Sequence, residues 1–414
     1  MDISSSTLDN GLPIVRLSMP GTRALTALVA FDAGARTERD EENGMSHFLE
    51  HLVFKGGESY PSYRDVNETA ERMGAQLNAY TSHDIVAFHI TCRSEAAMGA
   101  LDLLSDFVGR ARLDADELER ERGVVIQEIA RSDDQPADVA DKLLDQATYG
   151  EHPLGRPVLG PAEHLRSFSR DAIVAFRERQ WGPARGGAFL AGDVSHLDDA
   201  PVAEALERFP AFDGAGEREP APGFQRRMVV EERDTQQSHL RLHWRPRIDP
   251  PDIRQRAALT VLSTLLGGSM GSRLFDEIRE QRGLCYFIRS HGWTHADTSR
   301  LDVASGLDSS KCIEAYRRIC EIVADLASNG PRDGEVARAR AYAAGSTVLS
   351  LESTRAVASR AASQKIVFDE VRSPDDTIAA LDAVTDDDVR EVASQLEGDP
   401  VVACVGPHTA EDFA

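Results

Sequence analysis

The residue types best suited to chemistry stand close together in the segment His47-Phe48-Leu49-Glu50-His51. Side chains four positions apart share one face of a helix, so His47 and His51 can reach a single metal ion. Glu50 projects to the side of that face, where it can contact a water molecule without acting as a ligand. Two imidazoles and an adjacent carboxylate are typical of a catalytic zinc site and its general base. Since the pattern arises by chance in roughly one chain in thirty, two core histidines remain an alternative for the pattern alone.

A carboxylate on a later helix can complete this metal site. Glu128 stands among four apolar neighbours in a predicted helix, which indicates a buried position. A buried carboxylate needs a partner, and zinc is one. Glu121 precedes it by two helical turns and so lies on nearly the same face, where it can orient a ligand histidine. We interpret Glu117 and Glu119, on the same helix, as solvated charges.

The elements that must position these residues follow from hydrophobic periodicity and from glycine. The histidines are predicted to lie on a helix that begins near Asn43–Gly44 and ends at Gly56–Gly57. Strands are predicted before it, within 14–32, and a hairpin after it, within 76–92. The acidic residues fall in a helical region at 94–132. The second helix must therefore pack close to the first for a metal site to form.

The length of 414 residues predicts two domains of about 200 residues each. The segment 212–226 is rich in glycine, proline and charge and is predicted to be a linker between domains 1–211 and 227–414. Sequences that start at Asp116 and Asp333 resemble each other, with an acidic start, an arginine-rich turn and a small apolar stretch. Only the first contains an acid at the place of Glu128. Duplication explains this, and chance similarity between two helices is an equal alternative.

Composition restricts the partners and the location. The net charge of -23 argues against nucleic acid and anionic membranes, because both are polyanions. The beginning of the chain lacks a signal peptide pattern, and no apolar run approaches the ~20 residues of a membrane span, so we expect a cytoplasmic protein. None of the five cysteines forms a CxxC pair, which indicates reduced thiols. They are Cys92, Cys285, Cys312, Cys320 and Cys404.

Taken together, these residues resemble the pitrilysin family, which includes insulin-degrading enzyme and the mitochondrial processing peptidases. The pattern H-x-x-E-H is the signature of inverted zincins, and the family pairs it with a glutamate downstream, where Glu128 stands. The resemblance implies one zinc ion per chain on His47, His51 and Glu128. It also implies Glu50 as the general base and Glu121 as a supporting acid.

Two further segments resemble parts of that family. One contains Asn78, Ala79 and Tyr80 and is similar to the strand whose edge pairs with the substrate backbone; from the residues alone it is only a hairpin strand. The other contains Arg279 and Tyr286, which in the family help to hold the peptide and its developing oxyanion. Taken alone, Arg279 is interpreted as a solvated helix residue and Tyr286 as a half-buried strand residue.

The resemblance also implies a fold and a function. The expected fold is α+β, with two homologous αβ-roll domains, each a mostly antiparallel sheet covered by helices, as in two-domain bacterial or archaeal members. The expected function is that of a zinc metalloendopeptidase that hydrolyses unstructured peptides inside a chamber formed by domain or subunit pairing, with a homodimer as the expected assembly. Alternatives are a dedicated precursor-processing peptidase and, in another class, a non-catalytic structural or partner subunit.

Overall fold

The structure is a computed structural model that describes residues 1–212, 214 and 217–413. In this part of the chain, eleven strands form two sheets, of six and five strands. The strands of the first sheet are β1 Asp2–Thr7, β2 Pro13–Ser18, β3 Ala24–Phe31, β4 Gln76–Thr81, β5 Val86–Arg93 and β6 Gly186–Gly192; those of the second are β7 Met228–Glu232, β8 Gln237–Trp244, β9 Cys285–Thr294, β10 Ser299–Asp308 and β11 Val401–Gly406.

The two sheets have the same connectivity. The first has the order β1-β2-β6-β3-β5-β4 and the second the order β7-β11-β8-β10-β9. Without the added edge strand β1, each sheet places its first, fifth, second, fourth and third strand side by side. In each, the first and last strands pair in parallel and the other pairs are antiparallel. The predicted α+β class with two mostly antiparallel sheets is confirmed, and the shared order supports a duplication.

Helices cover both sheets. None in the described part of the chain combines the length and the apolar character needed to cross a lipid bilayer. The helices are α1 Met45–Val53, α2 Tyr63–Arg72, α3 Ala97–Gly109, α4 Ala115–Asp134, α5 Pro136–Tyr149, α6 Ala162–Ser167, α7 Arg170–Gln180, α8 Asp199–Leu206, α9 Ile253–Ser263, α10 Cys312–Asn329, α11 Glu335–Ser350, α12 Thr354–Phe368, α13 Pro374–Asp382 and α14 Asp386–Ser394.

The chain divides into two compact units. Each unit includes one helical segment that lies, in sequence, among the elements of the other unit. Helix α12 follows the second sheet's first four strands in the chain but packs on β3 and β6 of the first sheet, and α5 packs on β8 and β11 of the second. The predicted domain bounds stay a prediction; the linker predicted at 212–226 includes residues 213, 215 and 216, which lie outside the described residues. The first unit is Met1–Ile129, Pro157–Glu219 and Ser350–Pro374, and the second is Ala130–Arg156, Pro220–Leu349 and Asp375–Ala414.

The apolar sequence of β3 follows from burial on both faces. Leu25, Ala27 and Val29 point into the core formed with α1 and α3. Leu28 and Ala30, from the alternate positions, pack with the apolar residues of α12. A continuous apolar run bounded by turns is what a strand buried on both faces requires. This strand therefore forms the rigid centre of the unit that carries the histidine helix.

Candidate metal centre

The start of helix α1 is fixed by a buried carboxylate. Glu38 accepts hydrogen bonds from the Gly44 and Ser46 backbone N–H groups, at 3.0 and 2.7 Å, and from the Asn43 amide at 3.0 Å. Burial raises the pKa of Glu38 to about 7 although these hydrogen bonds oppose the shift. Gly44 has φ 97°, and a Cβ there would lie 2.7 Å from the Leu159 carbonyl oxygen, so only glycine fits.

One face of α1 anchors the helix and another presents the imidazoles. Phe48, Leu49 and Leu52 are completely or almost completely buried in the core of the first unit. His47 and His51 stand one turn apart with ring centroids 4.7 Å from each other. Because the apolar face is locked in the core, the positions of both imidazoles are set by packing.

The structure brings Glu128 of helix α4 to these two imidazoles. Its Oε2 lies 3.9 Å from Nε2 of His47 and 3.5 Å from Nε2 of His51, and the three ligand atoms lie within 4.8 Å of one another. Ligand atoms of a tetrahedral zinc ion lie roughly 3.3–3.5 Å apart, given bonds of about 2.0–2.1 Å. Two nitrogens and one carboxylate oxygen form an established ligand set for catalytic zinc, so the residues present fit the ion.

The protonation state of His47 agrees with a ligand role. Burial, and then the nearby charge of His51, lower the pKa of His47 to about 3, so its imidazole is neutral. Its Nδ1 is buried and has no hydrogen-bond partner among the described residues. Nε2 faces Oε2 of Glu128, and a neutral ring can offer the lone pair of that nitrogen to a cation.

Glu121 orients the second imidazole. Its Oε1 lies 2.8 Å from Nδ1 of His51. Because an ionised carboxylate only accepts, Nδ1 carries the hydrogen and Nε2 keeps its lone pair for a metal. Lys55 pairs with the other oxygen of Glu121. Burial tends to raise the pKa of Glu121, but the hydrogen bonds from His51 and Lys55 outweigh burial and hold this pKa below its usual value.

Glu50 lies beside the three ligand residues and is buried. Thr81 donates a hydrogen bond of 2.6 Å from its Oγ1 to Oε2 of Glu50. Burial raises the pKa of Glu50, the Thr81 hydrogen bond and the charge of His51 oppose this effect, and the charge of Glu128 adds to it. A buried carboxylate with a raised pKa next to a metal site is suited to accept a proton from water.

Strand β4 carries Asn78, Ala79 and Tyr80, which were predicted to bind the substrate backbone. It lies at one edge of the first sheet and pairs with β5, and among the described residues no strand pairs with its other edge. Tyr80 hydrogen bonds with Ser359 and Ser363 of α12, so its side chain serves packing. Thr81, at the end of the same strand, links this edge to Glu50.

Arg279 and Tyr286 lie together in the second unit. Arg279 belongs to a π-helical segment, Phe275–Glu280, and its guanidinium lies 5.3 Å from the ring centre of Tyr286. Tyr286, on β9, is 84% exposed. The Tyr286 side chain is thus available to a partner or substrate, unlike the half-buried residue expected from the sequence alone. Their predicted action on the zinc site stays a prediction.

Sequence reasoning missed three residues that support the site: Glu38, Lys55 and Thr81. Lys55 follows His51 by four positions, or about one helical turn. This spacing was a signal that its side chain points to the same side as His51, where Glu121 lies. Thr81 ends the predicted hairpin strand, but nothing in its spacing from Glu50 indicates contact. Glu38 lies in an irregular segment, and only the fold reveals that it is buried.

Comparison with known families gives two matches that follow each other along the chain. A family model described as Insulinase (Peptidase family M16) matches residues 14–162. A second, described as Peptidase M16 inactive domain, matches residues 167–342. His47, His51 and Glu128 all fall in the first match.

Individual proteins agree with these matches. A protein of Bacillus subtilis (strain 168), described as an uncharacterized zinc protease, is 33% identical over 409 residues, which cover 98% of each chain. The crystal structure of a peptidase M16 inactive domain from Pseudomonas fluorescens has a TM-score of 0.89 at 19% identity and covers 99% of each chain. A chain of complex III2 from Candida albicans has a TM-score of 0.84 at 16% identity, covering 100% of this chain and 97% of that one. These two structural likenesses concern the fold alone.

Proposed function

The chain belongs to the M16 (insulinase) family of peptidases, and from that premise we propose that it is a zinc metalloendopeptidase that hydrolyses unstructured peptides. The observation that carries the proposal is the convergence of His47, His51 and Glu128, whose ligand atoms lie within 4.8 Å of one another. We propose one zinc ion per chain at this place and a cytoplasmic location.

The reaction follows from the groups around that point. Zinc on these residues would supply a Lewis acid that polarises the scissile carbonyl and lowers the pKa of water to about 7. Glu50 takes the proton of the attacking water and passes it to the leaving amine. Thr81 holds the Glu50 carboxylate in place through its hydrogen bond. Glu121 keeps His51 in the tautomer whose Nε2 can bind a cation.

The edge of β4 supports a preference for extended peptides. A substrate that adds a strand to this edge would form main-chain hydrogen bonds, which tolerate different side chains. Asn78 and Ala79 lie on this strand, two to three residues before the Thr81 that contacts Glu50. A folded protein cannot offer a free strand to such an edge, whereas an unstructured peptide can. Selection by flexibility follows from this geometry.

Replacement of the general base tests the function directly. Glu50→Gln should fold and bind zinc as the wild type does, because Gln keeps the shape and the Thr81 contact. Its peptidase activity should fall by about 100-fold to 10,000-fold, the usual contribution of a general base. The measurements are zinc content by mass spectrometry and cleavage of a quenched fluorescent peptide. Full activity in Glu50→Gln would refute the role of this residue.

We also propose that the active form is a homodimer in which Arg279 and Tyr286 of one subunit act at the zinc site of the other. One chain carries both the metal residues and this exposed pair, so two copies suffice for complete sites. Subunits with Glu50→Gln and subunits with Tyr286→Phe should each be inactive alone and regain activity when mixed, since one site per dimer is then intact. Absence of recovery in a verified mixed dimer would contradict action across subunits.

A non-catalytic role is the candidate from another class. The likeness to a chain of complex III2 suggests it, but that likeness is in the fold alone. A subunit without catalysis has no need for a buried base beside three convergent ligand residues, and this weighs in favour of the enzyme.

A dedicated processing peptidase is the alternative among enzymes. Mass spectrometry of digested peptide mixtures would distinguish broad cleavage from cleavage at one preferred sequence.

A further inference from the structure

Two thiols and an imidazole meet inside the second unit, and the proposed function uses none of them. Cys312, Cys404 and His408 each offer one ligand atom, and these atoms lie within 4.8 Å of one another. All three side chains are buried, the two cysteines completely. Sulfur and imidazole nitrogen are the donors that soft cations such as Zn²⁺ and Cu⁺ prefer.

Three elements of the second unit hold these donors in place. Cys404 lies in β11, which pairs with β7 on one side and β8 on the other. Cys312 is the first residue of α10, which packs on the same sheet. His408 follows β11, and its backbone N–H donates to the Gly406 carbonyl at 2.8 Å. Because β11 and α10 fix the backbones of the two cysteines and this hydrogen bond restrains the segment of His408, the donors need no large movement to bind a cation.

A chain of hydrogen bonds determines which nitrogen of His408 carries a hydrogen. Nε2 lies 2.7 Å from the Ser238 hydroxyl, which donates to the Ser309 hydroxyl, which in turn donates to the Thr235 carbonyl. A carbonyl only accepts and each hydroxyl has one hydrogen, so the chain must begin with Nε2 as donor. Nδ1 of His408 therefore keeps its lone pair. Histidines that bind a metal through one ring nitrogen typically have a hydrogen-bond partner on the other.

The Cys404 thiol is neutral when no cation is present. A hydrogen bond with Cys312 and burial both raise the pKa of the Cys404 thiol. A neutral buried thiol is a poor nucleophile, so the geometry does not suit covalent catalysis. Among the described residues, the other three cysteines belong to no group of this kind.

We propose that Cys312, Cys404 and His408 bind one soft, thiophilic cation, Zn²⁺ or Cu⁺, in a structural site of the second unit. On binding, both thiols lose their protons to solvent and the two thiolates and the neutral imidazole become the ligands. The cation then ties the first turn of α10 to β11 and to the segment after it. Its effect is on the stability of the second unit.

The test uses the full chain, reduced and free of metal, titrated with Co²⁺ as a substitute for Zn²⁺. Thiolate ligands give a sulfur-to-cobalt charge-transfer band in the near ultraviolet, whereas the centre of His47, His51 and Glu128 has no sulfur donor. We expect one equivalent of Co²⁺ per chain to produce this band. Cys312→Ser and Cys404→Ser should each abolish it. Cys320→Ser, on the same helix but outside the group, should retain it.

A second titration identifies the ion. Cu⁺ is supplied from a coloured Cu⁺ chelator, and the wild type should withdraw one equivalent that Cys404→Ser cannot. Displacement of bound Co²⁺ by Zn²⁺ and by Cu⁺ then ranks the two ions, and either order supports the site.

The proposal is overturned if the folded wild type gives no charge-transfer band and withdraws no Cu⁺. It is also overturned if the only change at these residues is a Cys312–Cys404 disulfide formed with a mild thiol oxidant. Both outcomes are read on the wild type, so a serine variant that fails to fold does not obscure them. The band is independent of the peptidase centre and should persist in a variant that has lost Glu128.

Discussion

Helix α4 of the first unit and helix α11 of the second begin alike and bury the same face. In α4, Leu118 and Val125 lie two turns apart and are buried. In α11, Val336 and Ala343 are also seven residues apart and buried. Val336, like Leu118, directly follows a glutamate. The two sheets also share one strand order. Two copies of one scaffold thus keep their packing pattern while their sequences differ.

The chemistry differs at two positions of this shared pattern. In the register that aligns Leu118 with Val336, Glu121 and Glu128 of α4 correspond to Ala339 and Ser346 of α11. The two acids contact imidazoles of α1, one as a hydrogen-bond acceptor and one within metal-binding distance. The comparison teaches that the two acids belong to the metal centre of the first unit and not to the packing pattern that the two helices share.

The second unit uses a buried acid of α11 in another way. Glu335 receives a paired contact from the Arg273 guanidinium, at 2.9 Å from Nε and 2.7 Å from Nη2. Both side chains are buried, and Arg273 also contacts Asp325. Here the carboxylate neutralises a fixed cation, so no charge is left for a metal ion. The partner of the carboxylate decides whether it serves stability or chemistry.

The largest expected effect comes from giving α4 the residue of α11. Glu128→Ser removes one of three ligand groups, so zinc affinity should fall by more than the 10- to 100-fold typical of a supporting residue. Peptidase activity should fall with it. Glu128 is only half-buried, so the free energy of unfolding of the metal-free protein should change little. Competition with a coloured zinc chelator measures the affinity.

The reciprocal change, Ser346→Glu, is the matched control. Ser346 is exposed on α11, and an acid added there should create no second zinc site of the peptidase type, because the second unit lacks the imidazoles that Glu128 meets. Retention of wild-type zinc affinity in Glu128→Ser would contradict the comparison, since the acid would then not be part of what distinguishes the first unit from the second.

The next effect concerns stability. Arg273→Ala leaves Glu335 buried without its cation, and loss of one partner of a buried pair costs about 3–5 kcal/mol in the free energy of unfolding. Denaturant unfolding measures the loss. The control is Arg338→Ala, an exposed arginine of α11 that donates to the Gly271 carbonyl, which should cost about 0.5 kcal/mol or less. Zinc affinity should stay unchanged in both variants. A small effect of Arg273→Ala would mean that water reaches Glu335.

The sequence was most informative about the site where histidine and glutamate residues recur at the spacing of a helix. His47, His51 and Glu50 could be assigned from one turn of helix, and Glu121 with Glu128 from two. The burial of Val125 and Ile129 was readable in the same way, but Val124 is exposed and Glu128 is only half-buried, unlike the buried position that its apolar neighbours indicated. The strand order and the exchange of α5 and α12 between the units were not readable, because they depend on pairings between residues far apart in the chain, for which a single sequence has no periodic signal.

The contacts that refine the site were missed for a related reason. Thr81 and Glu50 lie 31 positions apart, on a strand and a helix whose relative placement is known only once the sheet has formed. Glu38 lies outside the helices and strands, so no hydrophobic periodicity indicates that its side chain is buried. The two cysteines and the histidine that meet in the second unit show the same limit, since Cys312 and Cys404 share no local spacing.

The smallest expected effect tests how far the supporting acid accounts for the comparison. Glu121→Ala gives α4 the residue that α11 has at Ala339, leaves Nδ1 of His51 without its acceptor and frees Lys55 from its partner. Zinc affinity should fall by about 10- to 100-fold. Glu121→Gln should lose less, because its amide oxygen still accepts from His51. Glu117→Ala, on the surface of the same helix, should retain wild-type affinity. Equal losses in the Ala and Gln variants would show that charge toward Lys55, and not the tautomer of His51, is what Glu121 contributes.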